Sequence, residues 1–464
     1  MIKADCNDTI AAVATPIGEA GIGIVRISGK DALAIADKLF VSRNKQKPSQ
    51  AKTHTMHYGW IIDAASAGKE IIDEVILTVM RSPRSYTKED IVEINCHGGI
   101  IALRSALDVV LASGARLAEP GEFTQRAFLN GRIDLAQAEA VLDIIRAKTD
   151  SALKISLAQL KGALSKQISS IRRVILDVLS ALEANIDFPD EEISPANLNG
   201  LAQHLKNTEQ KLQGILQASG YGRILREGVS VVICGRPNVG KSSLLNSILR
   251  QERAIVTPVA GTTRDTIEEV INIKGIPIKI VDTAGIIEPR DLVEKKAVLR
   301  AKEYMRLADL VILVFDGSKK LTADDRELIK RLNKKTVLAL VNKIDLKQKI
   351  EKDKIVEIFD RFVSVSAKKN KNIRLLEDAI FDLICKARLF SPEPVLVTNL
   401  RHIERLKGVQ KFIARAANSL DNALSFEFIA QDLKDALIYL DEIVGRRFSE
   451  DLLDKIFSEF CIGK

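Results

Sequence analysis

The spacing of hydrophobic positions changes several times along the chain, and each change predicts a different kind of structure. In residues 1–120, short β-branched runs such as 23–27 and 91–94 alternate with helix-like stretches, which predicts an α+β domain. From Gly121 onward, apolar residues recur every three or four positions, which predicts long helices. The acidic, proline-bearing segment 188–195 interrupts them.

A third pattern begins near Gly228, where apolar strands are each followed by a helical stretch. The predicted strands are residues 229–234, 278–281, 310–315, 337–341 and 362–365. Such alternation is typical of a parallel sheet with helices on both faces. The helical spacing returns after residues 390–394.

Helical segments on both sides of one α/β module suggest that the module is inserted into a helical domain whose two halves pack together. The chain has 464 residues, which is enough for several cores. We therefore predict an N-terminal α+β domain at residues 1–120, a discontinuous helical domain at residues 121–220 and 389–464, and an inserted α/β domain at residues 221–388.

Composition narrows the class of protein. Hydrophobic residues make up 46% and charged residues 28%, which excludes collagen-like, mucin-like and wholly disordered chains. No apolar run approaches the length of a bilayer span, and the first residues carry no apolar signal segment, so we expect a soluble, cytoplasmic protein without a membrane partner. The five cysteines are odd in number and widely spaced, which argues against a disulfide framework or a zinc site.

The net charge of +8 is compatible with a nucleic-acid partner, but its distribution weakens that interpretation. Residues 1–120 and 121–227 each have no net charge, whereas residues 228–388 carry 32 basic and 22 acidic side chains. Many of these lysines lie between Lys319 and Lys371. Net charge is therefore no evidence for RNA binding by the other domains, although a local patch remains compatible with it.

The segment Gly235-Arg-Pro-Asn-Val-Gly240-Lys241-Ser242 fits the G-x-x-x-x-G-K-S phosphate loop. It follows a predicted strand and precedes a helix that we expect to begin at Ser243. Glycine lets backbone N–H groups approach phosphates, Lys241 reaches the β- and γ-phosphates, and Ser242 is suited to bind Mg²⁺. A chance glycine-rich turn is the alternative, and this context makes it the weaker one.

Further motifs follow in the order expected of a GTPase. Asp282-Thr-Ala-Gly285 ends a predicted strand and places a carboxylate near the metal. Asn342-Lys343-Ile344-Asp345 ends another, and its Asp is suited to accept both guanine N1–H and N2–H, which adenine lacks. The predicted GTP-binding residues are Asn238, Val239, Gly240, Lys241, Ser242, Ser243, Thr257, Pro258, Val259, Ala260, Gly261, Thr262, Thr263, Asp282, Thr283, Ala284, Gly285, Asn342, Lys343, Asp345, Ser366, Ala367 and Lys368.

One position departs from Ras-like enzymes. They place a water-orienting Gln directly after the Asp-x-x-Gly glycine, whereas this chain has Ile286 and Ile287. Either the hydrolytic groups differ or the protein is a weak GTPase used as a binding switch, and spacing alone leaves both open.

The sequence resembles the tRNA modification GTPase MnmE (TrmE) family over essentially its whole length. Besides the nucleotide motifs, the resemblance rests on Ala14-Thr-Pro16, Gly23-Ile-Val-Arg26-Ile-Ser-Gly29, Glu93-Ile-Asn-Cys-His97-Gly-Gly99, the segment that begins at Pro120-Gly-Glu-Phe123, and Cys461-Ile-Gly-Lys464. It implies a Ras-like GTPase domain inserted into an all-α domain, and a folate-binding-like N-terminal domain that dimerises.

The resemblance also implies hydrolysis assisted by K⁺ rather than by an arginine finger. Asn238, Thr257, Val259 and Thr262 match the family's potassium-contacting positions. The Mg²⁺ prediction comes from the nucleotide motifs themselves: Ser242 of the phosphate loop, and Thr263, which lies between that loop and Asp282 where a switch threonine would sense Mg²⁺ and the γ-phosphate. Glu294 matches its water-orienting acid and would replace the missing Gln. From spacing alone, a solvated helix charge is the commoner role for such a Glu.

The resemblance assigns a 5,10-methylene- or 5-formyl-tetrahydrofolate site to Arg26, Glu93, Arg132 and Lys464. Many family members carry Lys where this chain has Arg132, and Arg keeps the charge but changes the geometry of that contact. Without the resemblance, a structural ion pair is an equal interpretation of Arg26 and Glu93. Cys461 would lie exposed on a frayed tail and be inert on sequence grounds, but the family needs this cysteine for modification.

The implied function is a homodimeric GTPase that forms a heterotetramer with an FAD-dependent MnmG (GidA) family protein. Together they would add a carboxymethylaminomethyl or aminomethyl group to C5 of the wobble uridine of certain tRNAs. Two alternatives stay open: a GTP-dependent ribosome- or RNA-assembly factor without modification activity, and a dimerising scaffold whose GTPase switches partner binding.

Overall fold

The computed structural model describes residues 8–66, 68–188, 195–251, 268–282, 303–332, 335–359, 361–386, 397–422 and 424–464. The chain divides into two compact units, Met1–Leu142 with Asp441–Lys464, and Asp143–Leu440. Each unit contains one β-sheet.

The sheet of the first unit has seven strands. They are β1 Ile10–Val13, β2 Ala20–Ser28, β3 Phe40–Ser42, β4 Thr55–Ile62, β5 Ile71–Met80, β6 Ile91–Gly98 and β7 Arg116–Leu117. Their order is β3-β4-β5-β6-β2-β1-β7, and all neighbours are antiparallel except β1 and β7. The runs predicted at 23–27 and 91–94 lie within β2 and β6, which confirms them.

Fourteen α-helices have both ends within the described residues. They are α1 Ala32–Leu39, α2 Ile100–Ala112, α3 Glu122–Leu129, α4 Leu135–Arg146, α5 Asp150–Leu160, α6 Ala163–Asp187, α7 Pro195–Glu227, α8 Lys241–Gln251, α9 Ala323–Arg331, α10 Lys352–Ile358, α11 Ile373–Lys386, α12 Leu400–Asp421, α13 Phe426–Val444 and α14 Glu450–Phe457. Within the part of the chain that is described, no helix combines the length and hydropathy that a bilayer crossing needs.

Side-chain alternation assigns the two faces of the first sheet. Along β5, Val75, Leu77 and Val79 are buried and join one core with residues of α1 and α2. On the opposite face, Phe123 of α3 forms a smaller cluster over Ile10 and neighbouring residues. This cluster covers only part of the second face, and the polar side chains of β2 and β6 lie beside it.

Helical segments from both ends of the second unit pack together. Helix α12 packs along α7, and an ion pair of 2.8 Å joins Lys206 of α7 to Asp421 of α12. Helix α13 is joined to α6 by Lys434 and Glu183 at 2.9 Å. These are the contacts that an inserted α/β domain requires, while the three domain boundaries remain predictions.

The second sheet confirms the parallel α/β interpretation. Its strands are β8 Val229–Cys234, β9 Glu268–Ile273, β10 Ile276–Asp282, β11 Leu310–Asp316, β12 Val337–Asn342 and β13 Phe362–Ser364, in the order β13-β12-β11-β8-β10-β9. All neighbours are parallel except the edge hairpin β9–β10, which the sequence pattern did not reveal. Apolar clusters cover both faces, one containing Leu244 of α8 and the other Ile355 of α10.

The helix after the phosphate loop begins at Lys241, two residues earlier than the predicted Ser243. The turn is completed at Gly240, whose φ of 100° only glycine adopts readily. The backbone is therefore free to become helical at the lysine itself.

Candidate functional site

The phosphate loop joins β8 to α8 and depends on two glycines. Gly235 has a φ of 150°, and a Cβ there would crowd the carbonyl oxygen of Val314. A Cβ on Gly240 would overlap the side-chain amide of Asn342. Between them, the exposed Asn238 has a left-handed backbone with a φ of 63°. The loop is thus closely packed on one side and open at Asn238.

The side chain of Lys241 lies along this loop. Its Nζ donates hydrogen bonds to the carbonyl oxygens of Gly235 at 2.9 Å and Arg236 at 3.0 Å, and the side chain is buried. Ser242 follows at the N-terminus of α8 and is exposed. Helix N-termini favour anions, so this end of α8 combines the groups that phosphate and Mg²⁺ binding need.

Asn342 connects three loops at the carboxyl edge of the second sheet. It is only 2% exposed, and its Nδ2 donates to the carbonyl oxygen of Val239 at 2.9 Å. Its Oδ1 accepts from the amides of Lys343 at 2.8 Å and Ala367 at 3.1 Å. One buried amide therefore sets the relative positions of the phosphate loop and the two predicted base-binding loops.

The side chain of Lys343 also connects the phosphate loop to the end of β11. Its Nζ donates to the carbonyl oxygen of Asn238 and to Oδ2 of Asp316, both at 2.7 Å. Burial opposes ionisation of Asp316, but hydrogen bonds from Lys343 and Ser318 outweigh it and hold the pKa of that carboxyl below its ordinary value. No motif predicted Asp316, although an acidic residue directly after the apolar run 310–315 was a signal in the sequence.

The carboxylate of Asp345 is oriented by a neighbouring loop. The fully buried Ser366 donates its hydroxyl hydrogen to Oδ1 of Asp345 at 2.5 Å. This hydrogen bond is the main cause that lowers the pKa of Asp345, with a contribution from the charge of Lys368. An ionised, exposed carboxylate at this place suits the two N–H donors of guanine.

The remaining nucleotide predictions lie outside the described residues. They are Thr257, Pro258, Val259, Ala260, Gly261, Thr262, Thr263, Thr283, Ala284, Gly285 and Glu294, together with Ile286 and Ile287. Asp282 is the last residue of β10. The described residues thus bring together the phosphate loop, the base-binding loops and the strand that leads to Asp282.

In the first unit, Arg26 and Glu93 form a pair across neighbouring strands. They are opposite one another in the register of β2 and β6, and Nε of Arg26 donates to Oε1 of Glu93 at 2.7 Å. Their side chains are 17% and 20% exposed. The guanidinium carbon lies 5.6 Å from the ring centre of Phe123, so the pair borders the aromatic cluster of α3.

The C-terminal residues are attached to this pair, and the expectation of a frayed tail was wrong. Nη1 of Arg26 donates to the carbonyl oxygen of Gly463 at 3.0 Å, and the amide of Gly121 donates to the carbonyl oxygen of Cys461 at 3.4 Å. Gly463 is buried, Lys464 is half-buried and Cys461 is exposed. Hydrogen bonds to residues distant in sequence hold the tail, and the thiol still faces solvent.

Arg132 lies beside the same aromatic cluster. Its guanidinium carbon is 4.7 Å from the ring centre of Tyr86, which packs against the cluster that contains Phe123. The loop before Arg132 is held by Lys88, whose Nζ donates to the carbonyl oxygens of Asn130 at 3.0 Å and Gly131 at 2.9 Å. The sequence did not predict Lys88, because a single lysine in the segment between β5 and β6 belongs to no motif.

Comparison with known families covers nearly the whole chain. The family model described as "MnmE helical domain" matches residues 135–461, and the model described as "GTP-binding protein TrmE N-terminus" matches residues 9–132. Proteins named tRNA modification GTPase MnmE from Alkaliphilus oremlandii and Clostridioides difficile are each 46% identical to the chain over 460 residues. These alignments cover 99% of this chain and 99% of each relative.

A crystal structure of Aquifex aeolicus Era bound to GDP and AlF4⁻ is also similar to part of the chain. It is 30% identical over 40% of this chain and 66% of its own, with a TM-score of 0.28. The family is shown by the full-length relatives.

Proposed function

Because the chain belongs to the MnmE family of tRNA modification GTPases, we propose that it modifies the wobble uridine of certain tRNAs together with an FAD-dependent protein of the MnmG (GidA) family. The group added at C5 would be carboxymethylaminomethyl or aminomethyl. The chain is a GTP hydrolase, as its relatives' names and its phosphate and guanine loops indicate.

The observation that carries the proposal is the attachment of the Cys461 tail to the Arg26–Glu93 pair. Glu93 is suited to accept from the amino-pyrimidinone edge of a pterin, and Arg26 supplies a cation for charge-assisted contacts. Arg132 and Lys464 add two more basic groups on the same unit. A bound tetrahydrofolate derivative would supply the one-carbon unit, and the exposed thiol of Cys461 is the candidate nucleophile towards the uridine ring.

The nucleotide site is assigned a conformational role. Its residues lie in the second unit, whereas Cys461 and the candidate folate residues lie in the first. We infer that GTP binding and hydrolysis drive association and separation of the GTPase domains of a homodimer, and that the helical domain transmits this movement. Ser242 and Thr263 would hold Mg²⁺, and Glu294 would orient the attacking water. The K⁺ ion would be held by Asn238, Thr257, Val259 and Thr262.

Mass spectrometry of wobble nucleosides from a strain that lacks this protein tests the proposal. We expect the modified uridine to be absent, to return with the wild-type chain, and to remain absent with Cys461→Ser although GTP hydrolysis is normal. Rescue by Cys461→Ser would remove the assignment of the thiol. Unchanged nucleosides in the deletion strain would instead favour an RNA-assembly factor or a switching scaffold.

A further inference from the structure

Lysines are concentrated in the three loops that follow β11, β12 and β13. Residues 317–322, 343–351 and 366–372 contain eight lysines against two acidic residues, Asp345 and Glu351. Lys343 is paired with Asp316 inside the nucleotide site. The other seven define a surface that we call the lysine rim: Lys319, Lys320, Lys347, Lys349, Lys368, Lys369 and Lys371.

The charge of the lysine rim is only partly compensated by the acidic residues of its own loops, since the charge of Lys320 acts on Glu351 and those of Lys368 and Lys369 act on Asp345. All seven side chains are exposed, and none has an ion-pair partner among the residues that the structure describes. Some exposed lysines elsewhere in the second unit do form ion pairs, for example Lys274 with Asp378 at 2.6 Å. The charges of Lys368 and Lys369 also contribute to lowering the pKa of Asp345, after the hydrogen bond from Ser366. The rim is therefore a positive surface rather than one side of an ion-pair network.

The backbone presents these lysines from a fixed edge. The carbonyl oxygen of Gly317 accepts from the amides of Lys349 at 2.8 Å and Ile350 at 3.2 Å, which ties the first loop to the second. The third loop is closed by paired hydrogen bonds between Ser366 and Lys371. Since neighbouring strands are about 4.8 Å apart, three adjacent strand ends present the rim over a width of about 10 Å.

We propose that the lysine rim binds the phosphodiester backbone of tRNA, independently of base sequence. This proposal rests on the proposed function, which makes tRNA the substrate. The chemistry favours nucleic acid over an acidic protein, because lysine is depleted in protein–protein interfaces and binds phosphate as a point charge. The rim contains part of the excess positive charge of residues 228–388.

The test is the salt dependence of binding of an unmodified tRNA transcript to the full-length chain. The rim variant Lys320→Gln/Lys349→Gln/Lys371→Gln removes one charge from each loop. The control variant Lys154→Gln/Lys211→Gln/Lys330→Gln removes the same charge from exposed lysines of the second unit outside the rim. We expect the rim variant to bind about tenfold more weakly at low salt, and the slope of log affinity against log salt to be shallower by about 2.

The control variant should bind within about twofold of wild type, and both variants should hydrolyse GTP normally. Equal weakening of the two variants, or none in the rim variant, would overturn the proposal. Poly-L-glutamate displacing tRNA at matched charge concentration would also overturn it, in favour of an acidic protein partner. If wild type binds tRNA through the rim but fails to restore wobble modification, the proposed modification function is wrong, whereas tRNA binding by the lysine rim is confirmed.

Discussion

At the scale of single residues, Arg26 joins three features of the first unit. Its guanidinium donates to Glu93 and to the carbonyl oxygen of Gly463, and it lies over the ring of Phe123. A planar group with donors in fixed directions can make these contacts together, whereas a lysine ammonium cannot reproduce them. Arg26 therefore determines where the Cys461 tail lies relative to the candidate folate pair.

Replacing Gly463 by alanine should displace the tail without affecting the nucleotide site. Gly463 has a φ of 91°, and an added Cβ would overlap the carbonyl oxygen of Val13. We expect Gly463→Ala to lower wobble modification at least about tenfold, because a displacement of about 1 Å at reacting groups has an effect of this size or larger. GTP hydrolysis should not change.

Gly114→Ala is the matched control. Gly114 has a φ of 116°, but an added Cβ there meets nothing within 4 Å. Gly114→Ala also places an alanine at a positive φ, but it creates no overlap with a neighbouring atom. We therefore expect this variant to retain wobble modification. Full modification by Gly463→Ala, measured on wobble nucleosides, would show that tail position does not matter.

The buried cluster around Glu122 makes the stability of the first unit depend on pH. Burial alone raises the pKa of Glu122, but hydrogen bonds from Arg116, the Glu119 amide and Arg126 outweigh it and hold the pKa below its ordinary value of 4.5. A lowered carboxyl pKa contributes stability above the ordinary value, and this contribution is lost as pH falls through the folded-state value.

We expect Glu122→Gln to lower the free energy of unfolding by about 2 kcal/mol at pH 7, because it leaves Arg126 incompletely paired. The difference from wild type should shrink as the pH falls below 4.5. Urea unfolding followed by the fluorescence of Trp60, the single tryptophan, reports on this unit. Glu70→Gln, at an exposed position, is the control. If the difference in the free energy of unfolding between Glu122→Gln and wild type does not change with pH, the stabilising role of the ionised Glu122 carboxylate is wrong.

At the scale of elements, the loops at the carboxyl ends of β12 and β13 act as one structure. Asn342 is hydrogen-bonded to the phosphate loop and to Ala367, and Ser366 orients Asp345. A change at the base-binding loop should therefore alter base preference without unfolding the sheet, because the buried Asn342 contacts are retained.

Asp345→Asn should change the base preference of the nucleotide site from guanine to xanthine. The amide offers an N–H donor, which opposes the N2–H group of guanine but suits the C2 oxygen of xanthine. We expect GTP affinity to fall roughly 100-fold and XTP affinity to rise, as titration with fluorescent nucleotide analogues would show. Asp353→Asn, an exposed position on α10, should leave both affinities unchanged. Equal loss of GTP and XTP binding would indicate general damage instead.

The phosphate loop carries the potassium prediction. The side chain of Asn238 is exposed in a left-handed turn, so it is accessible to a cation beside the phosphates. We expect faster GTP hydrolysis in KCl than in NaCl, and Asn238→Ala should remove the difference. Asn246→Ala, at an exposed position on α8, is the control. Identical turnover in Na⁺ and K⁺ by wild type would refute potassium assistance.

At the scale of the whole molecule, the contact between α7 and α12 predicts how the chain behaves after cleavage. These helices precede and follow the α/β module in sequence but pack together, with Lys206 and Asp421 paired between them. Limited proteolysis that cuts only within residues 221–388 should therefore yield fragments that elute together on size exclusion. Separation of residues 120–220 from 390–464 without denaturant would reject the insertion.

The sequence alone determined the nucleotide loops and most strands of the second sheet. These features are encoded locally, since the phosphate loop is eight consecutive residues and strands such as β11 are apolar up to a single polar residue at the end, here Asp316. The edge strand β9 escaped prediction because its residues are mostly polar or half-buried. The sequence showed an excess of basic over acidic side chains in residues 228–388, but it did not show how the lysines are arranged in space.

Tertiary structure decided what depends on residues far apart in the chain. Arg26 meets Gly463 across 437 positions, Lys343 meets Asp316 across 27, and the lysine rim combines loops from three strands. No local spacing encodes such contacts, because they arise only when strand order and helix packing bring the segments together. The sequence thus identified the candidate chemical groups, and the fold decided which of them can act together.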